Sequence, residues 1–137
     1  MHFAGLSYLA VLFAAAVGFA FGAVYYTTLG KHWMLALGKT KEDIERNKSP
    51  MPFIIAAVAQ ILMAYILAGA IGHLGEHTVT VPNGVITGLF MWVGFVLTTV
   101  SVNYAFQGQK LVLTVIDAVH WLGVLVIQGL VIGWMGV

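Results

Sequence analysis

The chain has 137 residues, 61% of them hydrophobic and 8% charged, with a formal net charge of +1 and no cysteine. Soluble domains carry about 25% charged residues, so this chain cannot cover a water-facing surface and its solvent must be lipid. The small net charge leaves no basic face for a nucleic acid, and the missing cysteines exclude disulfides, thiolate chemistry and cysteine metal sites.

At this length there is room for one domain. The first apolar run, residues 3–29, carries no charge. At 1.5 Å per residue it exceeds the ~20 residues needed to cross a bilayer, and it is too long for the apolar core of a cleavable signal. Ala10, Ala14, Gly18 and Gly22 recur every four residues, so they form a small-residue stripe ending in a GxxxG, a surface that lets another helix approach closely. Tyr25 and Tyr26 are expected at the membrane boundary, where amphipathic rings sit well.

Residues 30–52 form a polar segment. Within Tyr25 to Pro52 lie five of the six basic residues (Lys31, Lys39, Lys41, Arg46, Lys48) and three of the five acidic ones (Glu42, Asp43, Glu45). The stretch 31–37 is apolar on one side and reads as a helix lying in the interface, with Gly38 its C-cap. Thr40 and Asp43 have capping-box spacing and open a second polar turn. Pro50 and Pro52 stop that turn and start the next span.

The second span is expected at residues 53–72, with Gln60 its one strongly polar member. Pro82-Asn83-Gly84 reads as a turn before the third span, 85–102. The fourth span, 111–134, carries Asp117, His120 and Gln128 and a second GxxxG, Gly129 to Gly133. Together these predict an all-α, four-helix transmembrane bundle. All six Lys and Arg fall in the first and third connections, so the positive-inside rule places both connections, including 30–52, in the cytoplasm and both termini outside.

An ionisable residue inside a span is a functional candidate by default. Asp117 lies about 10 Å and His120 about 15 Å beyond Lys110, and three-residue spacing puts them on one face. Gln60 reaches a similar depth from the same side, and Asn103, Thr99 and Gln128 could join an interior polar stripe. The bland alternative is that Asp117 pairs with His120 or Gln60 to hold the bundle together. His73-Leu-Gly-Glu76-His77 matches the H-x-x-E-H pattern of one class of zinc peptidases, with His2 on the same side. Gly75 weakens any helix there, and no folded domain supplies a substrate cleft. A haem would need paired axial ligands, and His120 is the one histidine deep in a span, so no cofactor is expected. Trp33, Trp92, Trp121 and Trp134 read as interface or packing residues.

Tyr26 to Lys31 and Tyr104 to Lys110 occupy equivalent places in the two helical hairpins, a hint of internal duplication of the kind seen in transporters. The two glycine seams favour a homo-oligomer, most simply a dimer, and Lys31 with Trp33 is a candidate contact for lipid or a partner.

At Gly30-Lys31-His32-Trp33-Met34, followed by Leu37-Gly38, the chain resembles a bacterial family catalogued as domain of unknown function number 1761. The resemblance implies a small four-helix inner-membrane protein with a Gly-Lys-x-Trp-Met segment after its first helix. It also implies an Asn near the end of the third helix and a polar, glycine-containing fourth, positions that Asn103, Asp117 and the last glycines would fill. It implies no activity. Three functions are therefore expected in descending order: binding or transport of a small ion or apolar molecule through Asp117, His120 and Gln60; an accessory role binding lipid or another membrane protein; and an enzyme acting on a lipid or quinone, with Asp117 and His120 as acid and base.

Overall fold

The computed structural model describes residues 5–75 and 77–136, and every regular element among them is helical. Helix α1 spans Tyr8–Leu37, opened by the Ser7 hydroxyl, which accepts from the Ala10 N–H at 3.2 Å. Its 30 residues extend about 45 Å, outrunning a ~30 Å hydrocarbon layer by roughly ten residues. Gly38, at φ 70°, ends it, and the Lys39 N–H turns back to the Met34 carbonyl at 3.1 Å. The expected break near residue 30 does not occur. A side chain at Gly30 would meet nothing within 4 Å, and continuing the helix buries Ala36 against Leu113 and Ile116. Packing therefore holds residues 31–37 in α1 where a separate interfacial helix was expected.

Helix α2, Lys41–Arg46, has the expected capping box: Thr40 Oγ1 accepts from the Asp43 N–H at 3.2 Å and Asp43 Oδ2 from the Thr40 N–H at 2.9 Å. The bond from the Thr40 backbone, then the one from its side chain, hold the Asp43 carboxyl below its ordinary range. Helix α3, Met51–Gly72, starts at Pro50 with Pro52 in its first turn, where a missing N–H costs nothing.

The third span, Val81–Phe106, is built from α4 (Val81–Met91), a π-helical segment (Trp92–Leu97) and α5 (Thr98–Phe106). It begins four residues earlier than expected. Thr80 caps it by accepting from the Asn83 N–H, and Pro82 sits in its first turn, so Pro82-Asn83-Gly84 continues the helix and does not turn the chain. Inside the π segment, which widens the helix by one residue per turn, the Trp92 indole N–H donates to the Ala118 carbonyl at 2.7 Å.

Helix α6, Leu111–Met135, is the centre of the bundle and packs against α1, α3, α4, the π segment and α5. Of its apolar window 56% is buried, against 6% for the third span. Close approach to α4 depends on glycine: a Cβ on Gly84 would strike the Gly129 carbonyl, one on Gly133 the Thr80 carbonyl, and one on Gly88 would lie 2.7 Å from the Leu125 oxygen. One apolar cluster joins Val11, Ala14 and Ala15 to Ala64, Leu67, Ile71, Leu125 and Ile132. A second, towards the α2 end, joins Ala36 to Leu113 and Ile116, flanked by Tyr25, Tyr26, Trp33 and Tyr104. Large apolar side chains face outward along α3 (Ile54, Ile55, Val58, Leu62, Ile66) and along the third span (Phe90, Val93, Phe95). With four helices long and apolar enough to cross a bilayer, this is a multi-pass membrane protein whose outer surface suits lipid.

Candidate intramembrane site

Between the two apolar clusters α6 carries a ladder of polar side chains, and α1 carries its complement. The stripe of every fourth residue on α1 faces α6. Gly18 lies against the Gln60–Gln128 pair, where a Cβ would sit 2.5 Å from Gln60 Oε1 and 3.2 Å from Gln128 Nε2. Gly22 lies against His120, 2.8 Å from a Cβ to Nε2. Four residues on, the stripe changes from small to large, and Tyr26 donates its hydroxyl to Asp117 Oδ1 at 2.6 Å. The stripe makes room for polar groups in the middle of the membrane and then supplies one.

Asp117 is buried, and both of its recorded hydrogen bonds come from phenols: Tyr26 on one oxygen, and Tyr104 of α5 on the other at 2.6 Å. The neighbouring Tyr25 donates to the Ile116 carbonyl at 2.7 Å. Tyr25 and Tyr26 thus point inward as anchors of α6. Burying a hydroxyl without a partner costs about 1–3 kcal/mol, and three tyrosines on two helices meet that demand on one turn of α6. Trp33 packs edge-on to Tyr26 at 5.8 Å between centroids, linking the Gly-Lys-x-Trp-Met segment to the carboxylate.

His120, one turn deeper, stands in a box of rings: Trp121 at 4.6 Å, Tyr26 at 4.8 Å, Tyr25 at 5.5 Å, and Phe21 stacked at 6.2 Å between centroids. It is only 6% exposed, and its Nδ1 is buried with no hydrogen-bond partner among the described residues. Gln60 and Gln128 pair with each other: Gln128 Nε2 donates to Gln60 Oε1 at 2.7 Å and to the Gln60 carbonyl at 3.1 Å. Gln128 Oε1 has no hydrogen-bond partner among the described residues.

A cavity of about 470 Å³ opens beside this ladder between α1, α3 and α6. Its polar lining residues are Gln60, His120, Thr27 and Tyr26, the last two with their hydroxyls donated to the Ala23 carbonyl and to Asp117, and Phe19, Tyr26, Phe53 and Trp121 supply most of its aromatic wall. Ligand pockets commonly occupy roughly 300–1,000 Å³ and are largely apolar with a few placed polar groups.

The candidates from sequence separate cleanly. Asp117 and His120 share a face one turn apart, but Asp117 is held by tyrosines and pairs with neither His120 nor Gln60. Gln60 meets Gln128 instead. Asn103 is exposed near the end of α5 and stands apart from the ladder. Gly18, Gly22, Gly129 and Gly133 all meet partners within this chain, so those seams carry no argument for a second copy. Lys31 is exposed while Trp33 is half-buried. His73 and His77 are exposed on the α3–α4 connection, Glu76 lies outside the described residues, and no cluster of three or more His, Asp or Glu placed for a metal occurs among the described residues. The tyrosine donors were missed. Their signal was present twice, in the four-residue register of Tyr26 with Gly18 and Gly22, and in the equivalent placement of Tyr26 and Tyr104.

Residues 9–133 match the model of a protein family described as "Protein of unknown function (DUF1761)". No curated protein and no solved structure matches the chain.

Proposed function

We propose that this chain, which belongs to the DUF1761 family, is a binding protein for a small, largely apolar molecule held inside the membrane, with His120 and Gln60 as its polar contacts. The observation that carries the reading is His120: a buried imidazole that makes no hydrogen bond through Nδ1 among the described residues and lines a cavity large enough for a ligand. Nδ1 is closed off from the cavity, but Nε2 lies over Gly22 in the cavity wall, and since polar groups taken out of water almost always find a partner, a ligand in the cavity is one that Nε2 can take. Asp117 has a supporting role. By fixing Tyr26 it fixes one wall of the cavity and the ring beside His120.

An ion-carrying role has less support, because the Asp117 oxygens are engaged by two phenols and the cavity lining has no charged residue. A role in docking another protein through Trp33 is likewise weakened by the inward packing of that ring on Tyr26. For orientation, we take the α2 end as cytoplasmic. All six Lys and Arg lie at that end, Lys31 in the last two turns of α1 and the others in the two connections, and none lies in the α3–α4 connection, the distribution expected for positive-inside insertion into a bacterial inner membrane.

Native mass spectrometry of the protein released from nanodiscs tests the binding reading. One small molecule per chain is expected, lost in His120→Leu and in Gly22→Leu, whose side chain would press on the imidazole. A chain that carries only a broad mixture of bilayer lipids, unchanged by either substitution, would sink it.

A further inference from the structure

The lining of the same cavity narrows what it binds, and the narrowing rests on the binding reading above. No Lys, Arg, Asp or Glu lines it, so a charged headgroup would be left unpaired at membrane depth, at a cost of several kcal/mol by general experience. The occupant is neutral. Phe19, Tyr26, Phe53 and Trp121 surround the space together with the imidazole, a lining that favours a flat ring by offset or edge contacts.

The Tyr26 and Thr27 hydroxyls are already donated to Asp117 and to the Ala23 carbonyl, and the two remaining polar groups, Gln60 and His120, both offer donors. Gln128 Nε2 faces the Gln60 backbone carbonyl, which fixes the orientation of the Gln128 amide. That in turn places Gln60 Oε1 toward Gln128 and leaves Gln60 Nε2 free to donate. In His120 the buried Nδ1 has no partner, and an unpaired acceptor is tolerated better than an unpaired N–H. The proton therefore belongs on Nε2, the atom that lies over Gly22 in the cavity wall. Two donors in an aromatic slot call for a ring bearing acceptor oxygens.

Size and opening complete the description. The 470 Å³ volume holds roughly fifteen water-sized groups at ~30 Å³ each, enough for a substituted ring and the first atoms of a tail. Ala23 and Thr27 of α1 and Phe53 of α3, all lining residues, are also exposed on the lipid-facing surface, so a tail can remain in the bilayer. We propose that the cavity admits the head of a quinone-class lipid sideways between α1 and α3, its carbonyl oxygens accepting from Gln60 and His120.

The test is a titration of decylubiquinone into the full chain in nanodiscs, read by quenching of tryptophan fluorescence, since Trp121 lines the site. Decanol is run in parallel as a chain with a hydroxyl but no ring, competing against the quinone. Saturable quenching at one quinone per chain is expected, weakened about tenfold by His120→Leu and abolished by Ala56→Phe or Ala23→Trp, which fill the space from two small residues that line the cavity. Val58→Ala, on the outer face of α3, should leave the titration unchanged. Decanol that displaces the quinone at equal concentration would overturn the ring-headed assignment while leaving the binding reading standing. Quenching that rises linearly without saturation, or that is the same in both filled variants, would mean simple partitioning and would overturn the quinone assignment, while the mass spectrometry above decides the binding reading by itself.

Discussion

At the residue scale the most consequential contact is Asp117 with its two phenols. Tyr26→Phe and Tyr104→Phe each leave one carboxylate oxygen short of a donor while removing no packing, so each should lower stability by about 1–3 kcal/mol. Because both act on one group, the double variant should lose less or more than the sum of the two. Denaturation by SDS in mixed micelles measures all three. Asp117→Asn should destabilise similarly, since an amide offers only one acceptor to two hydroxyls, and it should leave proton flux into liposomes unchanged. A flux that falls with this substitution would restore the carboxylate to a transport role. The sequence placed Asp117 and His120 correctly on one face, because helical spacing alone decides that. It did not reveal their partners, because partners across 91 and 13 residues depend on how helices meet. The rule that tyrosines mark membrane boundaries says nothing of the inward hydrogen bonds that Tyr25 and Tyr26 make to α6.

At the element scale, glycines separate into those that permit contact and those that do not. Gly84→Ala drives a methyl into the Gly129 backbone and should cost about 1–3 kcal/mol as an overpacked contact. Gly30→Ala meets open space in a continuous helix and should gain up to ~1 kcal/mol. The same SDS titration compares them, and equal effects would contradict the α4–α6 packing. Helix α2 offers a pH test. The Asp43 carboxyl is lowered by its bonds to Thr40, so it favours the folded turn fully above the ordinary carboxyl range and loses that effect as pH falls through the lowered value. The protection factors of the amides in residues 41–46, taken relative to intrinsic exchange at each pH, should fall in acid, and Asp43→Asn should flatten that dependence. The capping box, the Gly38 stop and the proline start of α3 were all legible, because each is decided within a few residues. The joining of 31–37 to α1 was not, because its cause is burial of Ala36 on a helix some 75 positions away in sequence.

At the scale of the whole molecule, composition alone excluded a water-facing fold, and each of the four apolar runs falls on one of the four helices long enough to cross a bilayer. Which helix lies at the centre could not be read that way, since the four are nearly equal in mean hydropathy, 2.0, 2.3, 2.0 and 2.0. The polar residues of α6 were the usable sign: a span bearing Asp, His and Gln needs protein around it more than lipid. Reporter fusions test the orientation we take. A reporter active only outside the cytoplasm should work when placed in the α3–α4 connection and fail when placed after Lys48, and the reverse pattern would invert the protein.

The central position of α6 also bears on how the protein is made. It is the last of the four spans to leave the ribosome, yet every other span packs on it, while α1 has no substantial contact with the third span. Until it arrives, Tyr25, Tyr26 and Tyr104 have no acceptor on α6, and the glycine faces of α1 and α4 have nothing to close upon. A nascent chain stalled before residue 111 would therefore be a set of helices held only by the α1–α3 and α3–α4 contacts, and a natural substrate for membrane proteases. Arrival of α6 converts that loose set into one body in a single step, so synthesis itself acts as the checkpoint for assembly.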